Sequence, residues 1–491
     1  RGAATEGQAA PPAVGASPAG PVAPAPGPAG APTLTPAPCP VPVAEGEAVD
    51  CFTLIVPEGR ARGGGPTLAL PVVRFRSRAA KPAEPLVFVG GGPGGSALGR
   101  RLSGAENHFL DERDVVLFAQ RGTRFASPEL ACPGYERAND AIVRRDLGAA
   151  AAVALRREAA AECARQLRAR GVDLDAYDTG AVVADLLDLR RALGVPAFSL
   201  YAVSYGTRVA LEAMRREPSA VRSAVLDSVL PPDVRYDEMA TDNALRALDR
   251  VLDQCAVDPA CAKAYPDLRA RWHRALERLS RAPAAVSAAP AGGGAKVSLR
   301  LTGRHVIEAV YSQLNLAGAI PTLPGLLDAV ARGDVERVAA AYLEGAGPSG
   351  FAYGQRLSVW CRDEAPVTDP RAVAAQSSRH PAFDGWGTPA FDPQICRAWP
   401  VSPSNADRSA VTSDVPTLLF AGEYDPTTPP EWGRRALAGL KNGYFVELPG
   451  RSHAAGFGAC GRSIALAFLR DPGRPPDTAC AARAPAPSFT R

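Results

Sequence analysis

Short apolar runs closed by glycine or proline alternate with longer stretches whose apolar residues recur every three or four positions. Cys51–Val56 and Leu68–Phe75 are rich in β-branched and aromatic residues and lie either side of a Gly-rich turn, which predicts an antiparallel hairpin at a sheet edge. Pro85–Val89 and Asp114–Ala119 are continuous apolar runs, the mark of strands buried on both faces. Val182, Val183, Leu186, Leu187, Leu189 and Leu193 give one apolar helix face within Tyr177–Gly194, and Gly194-Val-Pro196 stops it. Strands follow at Phe198–Val203 and Val221–Asp227, with a helix over Arg208–Met214 between them. Strand, helix and strand joined by short links imply a parallel sheet.

The alternation lapses from about residue 233 to 410. That stretch reads as helices, with an Ala/Gly/Pro gap at 282–295. It resumes with a strand over Val415–Gly422, a helix over Pro430–Leu440, a strand over Tyr444–Leu448 and a closing helix over Arg462–Leu469. The pattern divides the chain into a low-complexity Ala/Pro/Gly-rich tail (1–38), a first core segment (39–232), an inserted, mainly helical cap (233–410), a second core segment (411–482) and a short tail (483–491). No signal core precedes Arg1, so a targeting peptide is read as already removed.

Chemistry enters where the Phe198–Val203 strand meets its helix. Ala202-Val-Ser-Tyr-Gly206 puts Ser204 at a sharp strand-to-helix turn, one residue away from the G-x-S-x-G elbow of α/β hydrolases. Alanine adds only a methyl to the first glycine position. A serine nucleophile needs a base, and of five histidines only His453 follows a late strand. His108 comes soon after the glycine loop, while His273, His305 and His380 fall in the cap. The acid has two candidates at strand ends. Asp425, 28 residues before His453, is preferred, and Asp227 is the alternative. The order Ser204, Asp425, His453 is that of α/β hydrolases, so the expected fold is an α/β-hydrolase core with a mostly parallel sheet. Tyr205 N–H and one donor from Gly91 or Gly92 are the expected oxyanion hole.

Composition narrows the alternatives. Gly90, Gly92 and Gly95 formally fit a dinucleotide loop, but Pro93 interrupts it and no clear crossover helix follows, so no cofactor is expected. Net charge is +4 with lysine and arginine scattered, which argues against nucleic acid. No apolar run reaches the roughly 18 residues of a membrane span. Ten cysteines without a C-x-x-C pair argue against a metal cage and for disulfides. Loop positions suggest Cys255–Cys261, Cys361–Cys396 and Cys460–Cys480, leaving Cys39–Cys51 and Cys132–Cys163. A secreted, periplasmic or cell-surface location is expected.

Taken together, VPEG, GGGPGG, QRGT, SYGT, VLDSVLPP and AGEYDPTTPP, with the Cys460…Cys480 pair, resemble secreted tripeptidyl-aminopeptidase-type α/β hydrolases, relatives of proline iminopeptidases. The resemblance spans roughly residues 40–482 and departs from the family at Ala202 and at Ala119, where the family often has Asp. It implies Ser204, Asp425 and His453 as the triad and the GGPG glycines as the oxyanion loop. It also implies an exopeptidase that binds a free N-terminal ammonium through cap carboxylates, for which Asp237, Glu238, Asp363 and Glu364 are available. An esterase or amidase acting on small metabolites, and a non-catalytic binding protein on the same scaffold, are the competing readings.

Overall fold

The computed structural model describes residues 32–60, 65–99, 101–104, 107–346, 350–383, 386, 393–484 and 487–489. Its centre is a nine-stranded sheet in the order β1-β2-β3-β5-β4-β6-β7-β10-β11. The strands are β1 (Thr33–Pro36), β2 (Val49–Pro57), β3 (Thr67–Phe75), β4 (Ala83–Val89), β5 (Arg113–Phe118), β6 (Phe198–Val203), β7 (Val221–Asp227), β10 (Thr417–Gly422) and β11 (Gly443–Leu448). From β1 to β5 neighbours run antiparallel, and from β5 to β11 they run parallel. Every residue of β6 and β10 is buried, as expected for strands with covered faces.

Before the cap, helices α1 (Pro133–Arg144), α2 (Ala149–Ala169), α3 (Thr179–Ala192) and α4 (Tyr205–Arg216) are spaced among the strands. Asp178 caps α3 by accepting the Ala181 N–H, which satisfies one of the helix's free amide groups. The stretch expected to form the cap holds α5 (Ala240–Val257), α6 (Pro259–Ala264), α7 (Leu268–Arg281), α8 (Gly303–Leu314), α9 (Leu323–Arg332) and α10 (Glu336–Gly345). These build a second hydrophobic core around Trp272, Leu301, Ile307 and Leu327. The later cap helices α11 (Tyr353–Val359), α12 (Pro370–Arg379) and α13 (Pro393–Ala398) behave differently. Leu357 and Val359 of α11, and Ile395 of α13, join the sheet's own core. Helices α14 (Pro430–Leu437) and α15 (Ala459–Arg470) complete the second core segment.

Three sequence expectations are corrected. Residues 1–31 of the expected tail lie outside the described residues, but Thr33–Pro36 forms β1 and pairs with β2 from Thr33↔Ile55 to Pro36↔Phe52. That extended Thr-Leu-Thr-Pro segment supplies an edge strand, and proline is tolerated there. Second, the gap at 282–295 contains β8 (Ala284–Ala288), which pairs with β9 (Val297–Leu301). The Ala-rich AAVSA run carries too little branched side chain to signal a strand, and its partner decides it. Third, the expected tail at 483–491 includes Phe489, which packs on the cap's core.

Candidate active site

The turn from β6 into α4 is built on close backbone approach. Ser204 has φ 56° and ψ −126°, a conformation that costs an L-residue energy and is sustained by its surroundings. Its N–H donates to the Asp227 main-chain carbonyl (2.9 Å), and its own carbonyl accepts Thr207 Oγ1–H (2.6 Å). A Cβ on Gly206 would sit 2.1 Å from the Val89 carbonyl oxygen, so only glycine lets α4 lie this close to β4. Ala202, by contrast, is a buried β6 residue paired with Val89 and Leu226.

The glycine loop after β4 crosses directly over the serine. A Cβ on Gly91 would fall 2.8 Å from Ser204 Cβ and 3.4 Å from its Oγ. Gln120 Nε2 donates to Gly90 O (3.0 Å), Ala352 N–H to Gly94 O (2.9 Å) and Arg356 Nη1 to Pro93 O (3.1 Å), so the loop is tied down from two sides. Gly92 has φ 126°, which favours glycine. Tyr205 opens α4, and its ring hydroxyl lies 3.1 Å from Thr179 Oγ1.

Asp425 follows β10, two strands from β6 in the sheet order, and His453 follows β11. Asp425 Oδ2 lies 2.9 Å from His453 Nδ1. Its Oδ1 accepts the Thr427 and Thr428 N–H groups (2.8 and 2.9 Å), and Thr428 Oγ1 donates to Oδ2 (2.8 Å). Asp425 is fully buried, while the His453 side chain is 21 % exposed. Burial alone would raise the Asp425 carboxyl, but His453 and the threonine N–H groups outweigh it and hold it below the usual range. Burial likewise opposes charge on His453, yet Asp425 and then Asp227 hold its imidazole above the ordinary value. Among the described residues Ser204 Oγ has no hydrogen-bond partner, and apo sites often tighten this contact only around substrate.

The structure therefore brings Asp425 and His453 into contact, and Gly91 against Ser204. The other histidines are employed elsewhere: His108 faces Asp111, His305 faces Asp146, His380 faces Asp242, and His273 lines a cleft on the cap. Sequence reasoning missed Thr428, although its place three residues after Asp425 in Asp-Pro-Thr-Thr is the spacing at which a turn hydroxyl returns to a carboxylate.

The four cap carboxylates are all engaged. Glu364 pairs with Arg208 of α4 and with Arg408 (2.6 Å) in a buried cluster. Asp363 accepts the N–H (2.9 Å) and hydroxyl (2.6 Å) of Thr179. Glu238 accepts the Asp369 N–H (2.7 Å). Asp237 accepts Trp360 Nε1–H (2.9 Å), and burial first of all pushes its carboxyl up to about 7. Aromatic side chains from residues 233–410 reach the loop that carries Asp425. Tyr311 Oη lies 2.8 Å from Thr427 Oγ1, and Tyr236 packs edge-on to Trp360 and Trp432. No group of metal-ligating side chains occurs among the described residues.

The strand order and the glycine-lined serine turn define an α/β hydrolase, and by class this protein is a serine hydrolase. Residues 84–261 match the alpha/beta hydrolase fold family model, and residues 384–480 match that of TAP-like proteins. The serine protease Hip1 of Mycobacterium tuberculosis (strain H37Rv) is 27% identical over 469 residues, covering 87% of this chain and 86% of its own length. The putative hydrolase YuaR of Escherichia coli K12 is 25% identical over 344 residues, 64% of this chain and 67% of its own. A proline iminopeptidase structure from Mycobacterium smegmatis aligns over 86% of this chain and 98% of its own, with 16% identity and a TM-score of 0.38. The chain thus resembles the tripeptidyl-aminopeptidase-type hydrolases.

Proposed function

We propose that the protein is an exported serine peptidase that releases short peptides from a free N-terminus through an acyl-enzyme. Ser204 is the nucleophile, His453 the base and Asp425 the acid; residues 233–410 form the cap over them. The observation that carries this reading is the 2.9 Å contact from Asp425 to His453, at the end of the parallel strands where the strained Ser204 turn also lies.

Ser204 Oγ attacks the substrate carbonyl as His453 takes its proton. Tyr205 N–H and a Gly91 or Gly92 N–H receive the oxyanion, each such donor contributing about 10²–10³ in rate. Collapse returns the proton to the departing amine. A water, deprotonated by His453, then attacks the ester and restores Ser204. Asp425 holds the imidazole in the tautomer with Nδ1–H and favours the imidazolium formed on the way. The five disulfides support export to an oxidising compartment.

One observation favours a second reading, an esterase or amidase on small metabolites. Each of the four cap carboxylates considered for an ammonium already has an oxygen engaged by the protein's own groups, with Asp363 Oδ1 left without a hydrogen-bond partner. A panel of aminoacyl and peptidyl anilides beside p-nitrophenyl esters, each with a Ser204→Ala control, separates the two. Peptidyl anilide turnover abolished by Ser204→Ala is the expected result. Ester turnover without any anilide turnover supports the second reading, and fluorophosphonate labelling that survives Ser204→Ala overturns both.

A further inference from the structure

Asp227, the carboxylate that sequence offered as the rival acid, is fully buried at the end of β7 and touches both halves of the site. Its main-chain carbonyl accepts the Ser204 N–H (2.9 Å). Its side chain turns to the histidine loop, where Oδ2 accepts the Gly456 N–H (2.8 Å). Tyr201 Oη–H from β6 also donates to Oδ2 (3.4 Å), and Ser228 Oγ–H donates to Oδ1 (3.3 Å). Ser228, at φ 60°, in turn accepts the Ala454 N–H at Oγ (2.9 Å). The two residues closing β7 thereby tether the backbone one and three positions beyond His453. Gly456 is fitted to this contact, since a Cβ there would lie 2.4 Å from Tyr201 Oη and 2.9 Å from Asp227 Oδ2.

We propose that Asp227 is a positioning residue that fixes the base relative to the nucleophile, holding Ser204 by its main chain and the His453 loop by its carboxylate, whose charge also favours the imidazolium. The proposal rests on the triad of the preceding section. The groups acting on Asp227 are Tyr201 from β6, Ser228, the Gly456 N–H, His453, and Asp425 beyond β10. Burial foremost pushes its carboxyl up to about 6, with the Gly456 N–H and His453 opposing and Asp425 reinforcing. Above that value Asp227 is an anion that draws the His453 titration upward. Catalysis needs the neutral imidazole, so kcat/KM climbs with pH through that titration. Removing the anion lowers the imidazole pKa and moves the acid limb to lower pH.

The test is Asp227→Asn in the full chain. The expected result is a kcat about tenfold lower with KM within about twofold. The acid limb, and the His453 imidazole titration followed by ¹⁵N NMR, should fall by about half a pH unit or more. Stoichiometric fluorophosphonate labelling confirms a folded sample. Ser228→Ala keeps the charge and cuts the Ala454 tether, so kcat falls about threefold or more while the imidazole titration stays in place. Wild-type kcat, acid limb and imidazole titration in Asp227→Asn, with wild-type kcat in Ser228→Ala, overturn the proposal. Full activity of Asp425→Asn or His453→Ala would instead overturn the triad on which it rests.

Discussion

A methyl group at position 206 would have to share space with the Val89 carbonyl oxygen, 2.1 Å away. Backbone cannot swing aside as a flexible side chain can, so α4 and the end of β4 must separate. Gly206→Ala is therefore expected to cost about 3 kcal/mol or more in stability. It should also slow fluorophosphonate labelling of Ser204 by at least about tenfold, both read on purified protein. The contact belongs to the elbow's second glycine position; at the first, Ala202 is a buried residue of β6. Sequence alone showed the departure at 202 but not which of the two positions was constrained. Sequence preferred Asp425 to Asp227 on its spacing before His453 alone, because both close apolar strands. In the structure it is Asp425 that contacts His453 Nδ1, and that contact, which carries the proposed assignment, depends on β10 lying beyond β7 in the sheet.

At the scale of elements, the strands carrying the site were legible because β4, β5, β6, β7 and β10 are dense in apolar residues and end in glycine or polar turns. The cap was less so. Its β8–β9 hairpin lies in an alanine-rich stretch, and the run from α11 to α13 gives no sign in sequence that it packs on the sheet's core. That run supplies Glu364, which binds Arg208 one turn into the helix behind Ser204, together with Arg408. Burial would raise the Glu364 carboxyl, but the two arginines prevail and hold it below the usual range. Its contribution to stability is thus present above the unfolded-state pKa and is lost as pH falls through the folded one. Glu364→Gln leaves two guanidinium groups facing a neutral amide. It is expected to lower stability at pH 7 by about 3–5 kcal/mol in urea unfolding, a difference that shrinks toward acid pH.

Across the whole molecule, all ten cysteines are paired as Cys39–Cys51, Cys132–Cys163, Cys255–Cys261, Cys361–Cys396 and Cys460–Cys480. Thiol titration of the denatured, unreduced protein should find no free thiol, and peptide mapping should return these five pairs. Breaking Cys361–Cys396 alone by a double serine substitution should lower stability by about 2–5 kcal/mol. No described helix is long and apolar enough to cross a membrane. The bridges share one property: their sequence separations run from 6 to 35 residues. Each sulfur thus pairs with one close to it in sequence, and none must wait for a partner made hundreds of residues later. Nothing covalent except the main chain joins the segment bearing Ser204 to the one bearing Asp425 and His453. Their union is left to β10 settling beside β7, so on the proposed triad reactivity arrives only when the final stretch of polypeptide has docked.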